Sequence, residues 1–382
     1  MRFIHLSDLH IGKSVNGFSM LEEQRYAFNQ IFGYVESKKA DAVIIAGDVY
    51  DRPIPGVEAV KLFDWLLNQL VKRNIPIMII SGNHDSPERL NFARRLVSKR
   101  NIFINAEFDG KLRCITLRDE YGGVCFWLMP FVKPAIVSGF FPDRQIESYG
   151  DAAAAVLETA RVDFSARNVL VSHQFYTPAG AALIRSESEI NPIGGLDAID
   201  AELLKDFDYA ALGHLHRSQR AGRDNIRYAG SPVKYSFSEW QHQKSALLVE
   251  MREKGDVAVE TLPLVPIRET REIKGQLDAL ISVNDISQTN REDYLRVILT
   301  DEEELVDPMG KIRSVYPNVM SLVFENTRTA VDLSSIEASA DSVASLSPFD
   351  LFGEFFLDAQ GSVMSGEQAR IVRELLETGE DL

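Results

Sequence analysis

Five short polar clusters punctuate this chain, and each follows directly on a run of apolar, strand-forming residues. Asp8-Leu9-His10 comes after Arg2–Leu6, Gly47-Asp48-Val49-Tyr50-Asp51-Arg52 after Ala42–Ala46, and Gly82-Asn83-His84-Asp85 after Ile77–Ile80. Ser172-His173 comes after Asn168–Val171, and Gly213-His214-Leu215-His216 after Tyr209–Leu212. Open α/β sheets place their sites at the C-terminal ends of strands. A chain punctuated in this way is therefore expected to bring five strand ends together around one centre.

Between the clusters the pattern changes to helical spacing. Phe18–Lys38 carries Leu21, Phe28, Ile31, Phe32 and Val35, and Val57–Arg73 carries Val60, Phe63, Leu66, Leu67 and Leu70. Ser86-Pro87-Glu88 has the N-cap and first-turn proline of a third helix, expected to run to about Arg100. Strand–helix alternation argues for helix layers against sheet. Shorter strands at Val124–Met129, Ile226–Ala229 and Ser245–Met251, separated by Gly or Pro, argue for two packed sheets rather than one.

A length of 382 residues implies two or three domains. A boundary is expected at Leu264-Val265-Pro266, giving a first domain over 1–265. A small β–α–β domain over 267–330, a Ser/Ala/Asp-rich linker over 331–347 and a helical segment over 348–382 follow. That last segment holds Pro348–Phe356, with five apolar positions, and Gly366–Glu377, with Ile371, Val372, Leu375 and Leu376 on one face.

No stretch of eighteen uncharged apolar residues exists, and the N-terminus runs straight into a strand. A cytoplasmic protein with no membrane span is expected. Cys114 and Cys125 are expected as two buried free thiols. The net charge of −15 is concentrated beyond Thr300, where 17 acidic residues face 5 basic ones. The remainder is close to neutral, so a polyanionic substrate is not excluded.

Imidazole and carboxylate together suit Mn, Fe or Zn. Asp8, His10, Asp48, Asn83, His173, His214 and His216 offer seven ligands, more than one ion takes. Two ions sharing a carboxylate would use them, in the manner of sites that clamp both oxygens of an in-line displacement. His5 falls within a strand and is expected to be structural, and His242 is expected at the surface. Asp85 either supports a ligand or caps the following helix. Gly12-Lys13-Ser14 lacks the earlier glycine of a P-loop, since position 7 is serine. Any ATP dependence therefore belongs to a partner.

The order DxH, GDxxDR, GNHD, a lone His and GHxH resembles the calcineurin-like metallophosphoesterase superfamily. FIHLSDLHIGK, GDVYDRPIP, ALGHLHRSQ and YAGSPVKYSFSE resemble, within it, the nuclease subunits of SbcC–SbcD complexes. The resemblance implies a four-layer α/β/β/α sandwich, a small α+β capping domain and a C-terminal helical pair. It implies that Asp8, His10, Asp48 and His216 hold one metal and Asp48, Asn83, His173 and His214 the other, most simply Mn²⁺. His84 would be a catalytic non-ligand oriented by Asp51. Arg52 corresponds to a phosphate-contacting position; Arg185 and Arg217, by their nearness to motif residues, are further candidates for substrate phosphate.

The activity implied is DNA exonuclease and endonuclease action in repair and recombination. The partners implied are DNA, an SbcC-type ATPase bound through the C-terminal helices, and a second copy joined through Val57–Arg73 and Ser86–Arg100. The rival functions are hydrolysis of a small phosphodiester, nucleotide or phosphoprotein, and a scaffold with a dead site.

Overall fold

The computed structural model describes all residues except 179–182, 190–196, 283–289, 327–347, 361–362 and 379–382. It divides into two compact units, Met1–Thr270 and Arg271–Leu382. The first contains β1 (Arg2–Leu6), α1 (Leu21–Ser37), β2 (Ala42–Ala46), α2 (Val57–Lys72), β3 (Ile77–Ile80), α3 (Pro87–Leu90), α4 (Arg94–Val97) and β4 (Ile102–Asn105). There follow β5 (Arg113–Asp119), β6 (Gly122–Met129), α5 (Tyr149–Glu158), β7 (Arg167–Ser172), β8 (Tyr209–Leu212), β9 (Gln219–Arg220) and β10 (Ile226–Tyr228). Two last strands, β11 (Ser245–Met251) and β12 (Val257–Pro263), return to the first sheet.

The strands form two six-stranded sheets, ordered β12-β11-β1-β2-β3-β4 and β9-β10-β8-β7-β6-β5. β1, β2, β3 and β4 run parallel, as do β6, β7, β8 and β10. β2 shows why a strand here is apolar at every position. Ala42, Ile44 and Ala46 face the second sheet, in a layer with Phe3, Met78, Phe126, Val169, Val171 and Tyr209. Val43 and Ile45 face the opposite way, against Phe28, Ile31, Leu62 and Leu66 of α1 and α2. The outer face of the second sheet packs Leu170, Leu212 and Tyr228 on Ala152 and Val156 of α5. A strand buried on both faces alternates between two apolar layers, and the result is the expected α/β/β/α order.

His5 is the one buried polar side chain of β1. It lies in the inter-sheet layer, where its Nδ1 meets Tyr209 Oη at 3.0 Å, and burial pushes its pKa down to about 3. Three expectations are corrected. The third helix does not run on to Arg100: Ala93 takes φ 58°, separating α3 from α4 and a following 3₁₀ turn. Only Leu90 in this stretch is buried, while Phe92 and Leu96 are exposed. No continuous apolar stripe holds a longer helix, and helices owe most of their stability to such packing. Cys114 and Cys125 are free but half-exposed, because the β5–β6 hairpin has an open face. His242 is half-buried rather than at the surface, and its Nδ1 is buried.

In the second unit, β13 (Thr270–Gly275), β14 (Tyr294–Leu299) and β15 (Val319–Phe324) form a three-stranded sheet, and a short helix, Pro308–Arg313, lies between the last two in sequence. Leu295, Val297, Leu299, Ile312 and Val319 make its core. Two further helices, Pro348–Gln360 and Gly366–Thr378, follow; the expected linker lies outside the described residues. Among the described residues no helix is long and apolar enough to cross a membrane.

Away from the strand ends that carry the clusters, Arg167 ties the first unit together. Its guanidinium holds Asp119 through two contacts, one of 3.0 Å, and donates to the carbonyls of Gly122 (2.9 Å) and Arg252 (2.6 Å). Arg167 holds the Asp119 carboxyl well below the ordinary range. A depressed carboxylate stabilises the fold above its unfolded pKa, near 4, and that contribution disappears as pH falls through the folded value. Asp119→Asn should lower stability at pH 7 by about 3 kcal/mol, since it leaves a buried guanidinium without its partner. Denaturant melts from pH 7 to pH 2 should show the gap to wild type closing below pH ~4; a gap independent of pH would refute the assignment.

Candidate metal centre

The five clusters converge because both sheets present the C-terminal ends of their parallel strands on the same side. The loop after β1 delivers Asp8 and His10, that after β2 Asp48 and Asp51, and that after β3 Asn83, His84 and Asp85. The second sheet supplies His173 from β7 and His214 and His216 from β8.

Asp8, His10, Asp48, His173 and His216 are all buried. Asp48 Oδ2 lies 3.3 Å from His173 Nε2 and 3.5 Å from His10 Nε2. Asp8 Oδ1 lies 3.9 Å from His173 Nε2. Asn83 Oδ1 stands 3.2 Å from both His173 Nε2 and His214 Nδ1. His10 Nε2 and His216 Nε2 face one another at 3.1 Å. Asp8, His10 and His216 form one group able to hold a cation; Asp8, Asp48 and His173 form another.

The donor chemistry fits divalent cations. Burial holds His10 well below its ordinary pKa and His214 at about 3, so both rings stay neutral and keep lone pairs for ligation. His10 Nδ1 and His214 Nε2 are buried without hydrogen-bond partners. Burial alone would pull His173 down, yet the charges of Asp48 and Asp8 lift it to about 9. The centre therefore draws positive charge. Burial raises Asp8; for Asp48 burial is the largest single effect, but the charge and hydrogen bond of His173 together with the charges of His10 and His84 outweigh it and keep the carboxyl well below its ordinary range.

The backbone is shaped around these groups. Asp8 (φ 51°), His10 (φ 41°), Asp48 (φ 50°) and His214 (φ 100°) all take left-handed conformations, which cost about 1–3 kcal/mol each for a residue with a side chain. Such strain persists only where the surroundings over-determine it. The Asp8 carboxylate accepts from His214 N at 3.0 Å, and Asp48 Oδ1 accepts from His84 N at 2.9 Å. Asp85 accepts from the amides of Val49, Tyr50 and Gly82 at 2.9–3.1 Å, which fastens the second loop to the third. Burial and the neighbouring Asp48 lift Asp85 to about 6 against the pull of those amides. Of the two roles considered for Asp85, support of the ligand loops is the one these bonds describe.

His84 stands edge-on to His10, ring centroids 4.8 Å apart, and offers a nitrogen to the group formed by His10 and Asp48. Its Nδ1 faces the main-chain oxygen of Asp51 at 3.1 Å, not the Asp51 carboxylate. That carboxylate is held by Lys13 at 2.7 Å and lies 3.6 Å from His10 Nδ1. The expected Asp51–His84 pairing is thus made by the backbone. Arg52 is largely exposed beside Asp51. Arg185 lies over the Phe175 ring at 3.7 Å, next to Asp197, and the ring adjoins His214. Arg217 is exposed at a polar pocket of about 310 Å³ shared with His216, His242 and Lys244.

Several supporting residues carry no signal in the motifs. Gln24 of α1 donates to the carbonyls of Leu9 (3.2 Å) and His10 (2.8 Å) and to Tyr235 Oη (2.9 Å). Tyr235 in turn donates to Leu9 O. Glu239, Ser188 and Lys244 stand behind His216. Tyr235 and Glu239 fall in YAGSPVKYSFSE, a segment that the resemblance marks without giving these two residues roles.

Residues 1–218 match the family model for calcineurin-like phosphoesterase. Residues 265–360 match one described as type 5 capsule protein repressor C-terminal domain. The chain is 34% identical over 326 residues to the SbcD subunit of the nuclease SbcCD from Staphylococcus epidermidis, covering 84% of this chain and 85% of that protein. Among solved structures it is similar to phosphopantetheinyl hydrolase (PptH) from Mycobacterium tuberculosis, at 14% identity and a TM-score of 0.35, over 62% of this chain and 90% of that one.

Glycine allows the loops to close. A Cβ on Gly47 (φ +86°) would lie 2.3 Å from the His173 ring. Gly47→Ala should cost roughly 2–4 kcal/mol, from strain at positive φ plus overpacking. Gly33→Ala, in an open position on α1, should instead stabilise by about 0.5–1 kcal/mol. Urea melts of the two variants test this; equal effects would mean that the Gly47 loop yields freely.

Proposed function

The chain belongs to the calcineurin-like phosphoesterase family and is a phosphoester hydrolase; we propose that it acts as the metal-dependent DNA nuclease component of an SbcC–SbcD-type repair complex. The 34% identity to the SbcD subunit of the nuclease SbcCD, over most of both chains, is the observation that carries this proposal. It is supported by the His and Asp groups that meet at the strand ends, with Asn83 beside His173 and His214. Asp8, His10, Asp48 and His216 would hold one divalent cation, and Asp48, Asn83, His173 and His214 a second, with Mn²⁺ the ion of choice. When bound, such ions supply Lewis acidity and an activated water for attack on phosphorus.

The chain's own part is positioning and proton handling. A main-chain carbonyl only accepts, so His84 Nδ1 donates to Asp51 O and Nε2 is left for the substrate. Protonated there, it donates to the leaving oxygen. Arg52, Arg185 and Arg217 are proposed to meet substrate phosphates, and the protein to work in the cytoplasm. The chain beyond the first domain would divide into a capping domain over 267–330, a linker over 331–347 and a partner-binding segment over 348–382.

The assembly has two proposed contacts. Helices Pro348–Gln360 and Gly366–Thr378 would bind an SbcC-type ATPase; Arg373 lies over the Phe349 ring at 4.4 Å, joining the pair. A second copy would cover the apolar surface of α2 and the α3–α4 segment, where Phe92 is 83% exposed and Val57 70%. Patches of this kind mark interaction sites.

His84→Ala should reduce Mn²⁺-dependent cleavage of duplex DNA ends by about 10²–10⁴-fold while leaving metal uptake intact. The assay compares Mn²⁺, Mg²⁺ and Zn²⁺ on DNA, cyclic nucleotides and bis-p-nitrophenyl phosphate. Equal rates for variant and wild type would remove His84 from the mechanism, and preference for a small ester would overturn the nuclease assignment. Sedimentation velocity addresses the assembly. Phe92→Ser should shift a dimer towards monomer, and truncation at Ser347 should abolish co-sedimentation with the ATPase; a truncated chain that still binds it would place the contact elsewhere.

A further inference from the structure

Four side chains reach His216 from behind, and a fifth, Ser231, supports one of them. Ser188 Oγ lies 2.8 Å from His216 Nδ1 and 2.6 Å from Glu239 Oε1, and Glu239 Oε1 is itself 3.3 Å from Nδ1. The other Glu239 oxygen meets the Lys244 ammonium, and both residues are buried. Lys244 also reaches His216 O at 2.9 Å and Ser231 Oγ at 2.8 Å. Glu189 Oε1 accepts from His216 N at 2.7 Å.

The proton directions in this chain of bonds follow one from another. Glu239, paired with an ammonium, is ionised and only accepts. The Ser188 hydroxyl therefore donates to Glu239. A hydroxyl has one hydrogen, so its lone pairs are what face His216, and Nδ1 must be the donor. An Nδ1–H ring carries its bare lone pair on Nε2. That nitrogen lies 3.1 Å from His10 Nε2, in the group with Asp8.

We infer that Glu239, acting through Ser188 and anchored by Lys244, is a positioning residue that fixes the tautomer and ring direction of His216 and thereby sets the centre's affinity for a divalent cation. The inference rests on metal binding at this centre. Carboxylates in this position orient a ligating imidazole and raise its basicity, and their loss costs about 10–100-fold in metal affinity.

The test is calorimetric titration of metal-stripped full-length protein with MnCl₂, beside thermal melts of the same metal-free samples. Glu239→Leu/Lys244→Met removes the acceptor while leaving no unpaired buried charge. It should melt near wild type yet bind Mn²⁺ about 10–100-fold more weakly. Glu239→Gln keeps an oxygen but loses the charge, and should fall between the two. If the double variant does not fold, Glu239→Gln decides the question. A folded variant of either kind that binds Mn²⁺ like wild type overturns the role of Glu239. Wild-type protein that takes up no Mn²⁺ removes the metal centre itself, a separate outcome.

Discussion

The first unit depends on two buried carboxylates that each bridge separate loops. Asp8 belongs to the first sheet, yet its amide partner is His214 of the second. Asp48, also of the first sheet, meets His173 of the second and the amide of His84. Taking such ions out of water costs several kcal/mol apiece. They are tolerated because amides and imidazoles surround them, and those partners come from both sheets. The polar centre thus closes the same interface that the apolar layer of Phe3, Ile44, Val171 and Tyr209 opens. Arg167 and Asp119 fasten the unit elsewhere, with the Arg252 carbonyl reached from β7.

Four candidate ligand residues hold left-handed backbone, and this explains the density of support around them. Asp85 on three amides, Gln24 on two carbonyls and Gly47 against the His173 ring leave the loops little freedom to relax. The strain is offset by cooperation between elements far apart in sequence. It leaves the donor atoms arranged before a cation arrives, which lowers the ordering that binding requires. The Glu239–Ser188–His216 chain applies the same economy to proton position rather than to backbone.

Much of this was legible in the sequence. Runs such as Ala42–Ala46, apolar at every position, announce strands buried on both faces, and a polar cluster after each announces a site at the strand ends. The helices α1 and α2 were legible from their apolar stripes. What was not legible depended on contacts across long separations. The helical start at Ser86-Pro87 is sound locally, but nothing buries the residues beyond Leu90, so Ala93 turns left-handed and the helix stops. Asp51 was expected to orient His84, but which of its atoms would do so was not legible: Lys13 holds the carboxylate, and the main-chain oxygen is what faces the ring. Gln24, Ser188 and Glu239 have no motif spacing relative to the residues they support.

The sequence by itself determined the strand ends and the chemistry of the donor set, because both follow from short-range order: apolar periodicity within a strand and residue type just past it. Only the tertiary structure decided which donors meet, which tautomer each ring adopts and which carboxylates stay ionised. Those depend on distance and burial among loops up to about two hundred residues apart, as in the 206-residue separation of His10 and His216. Local sequence carries no information about such contacts until the two sheets have packed.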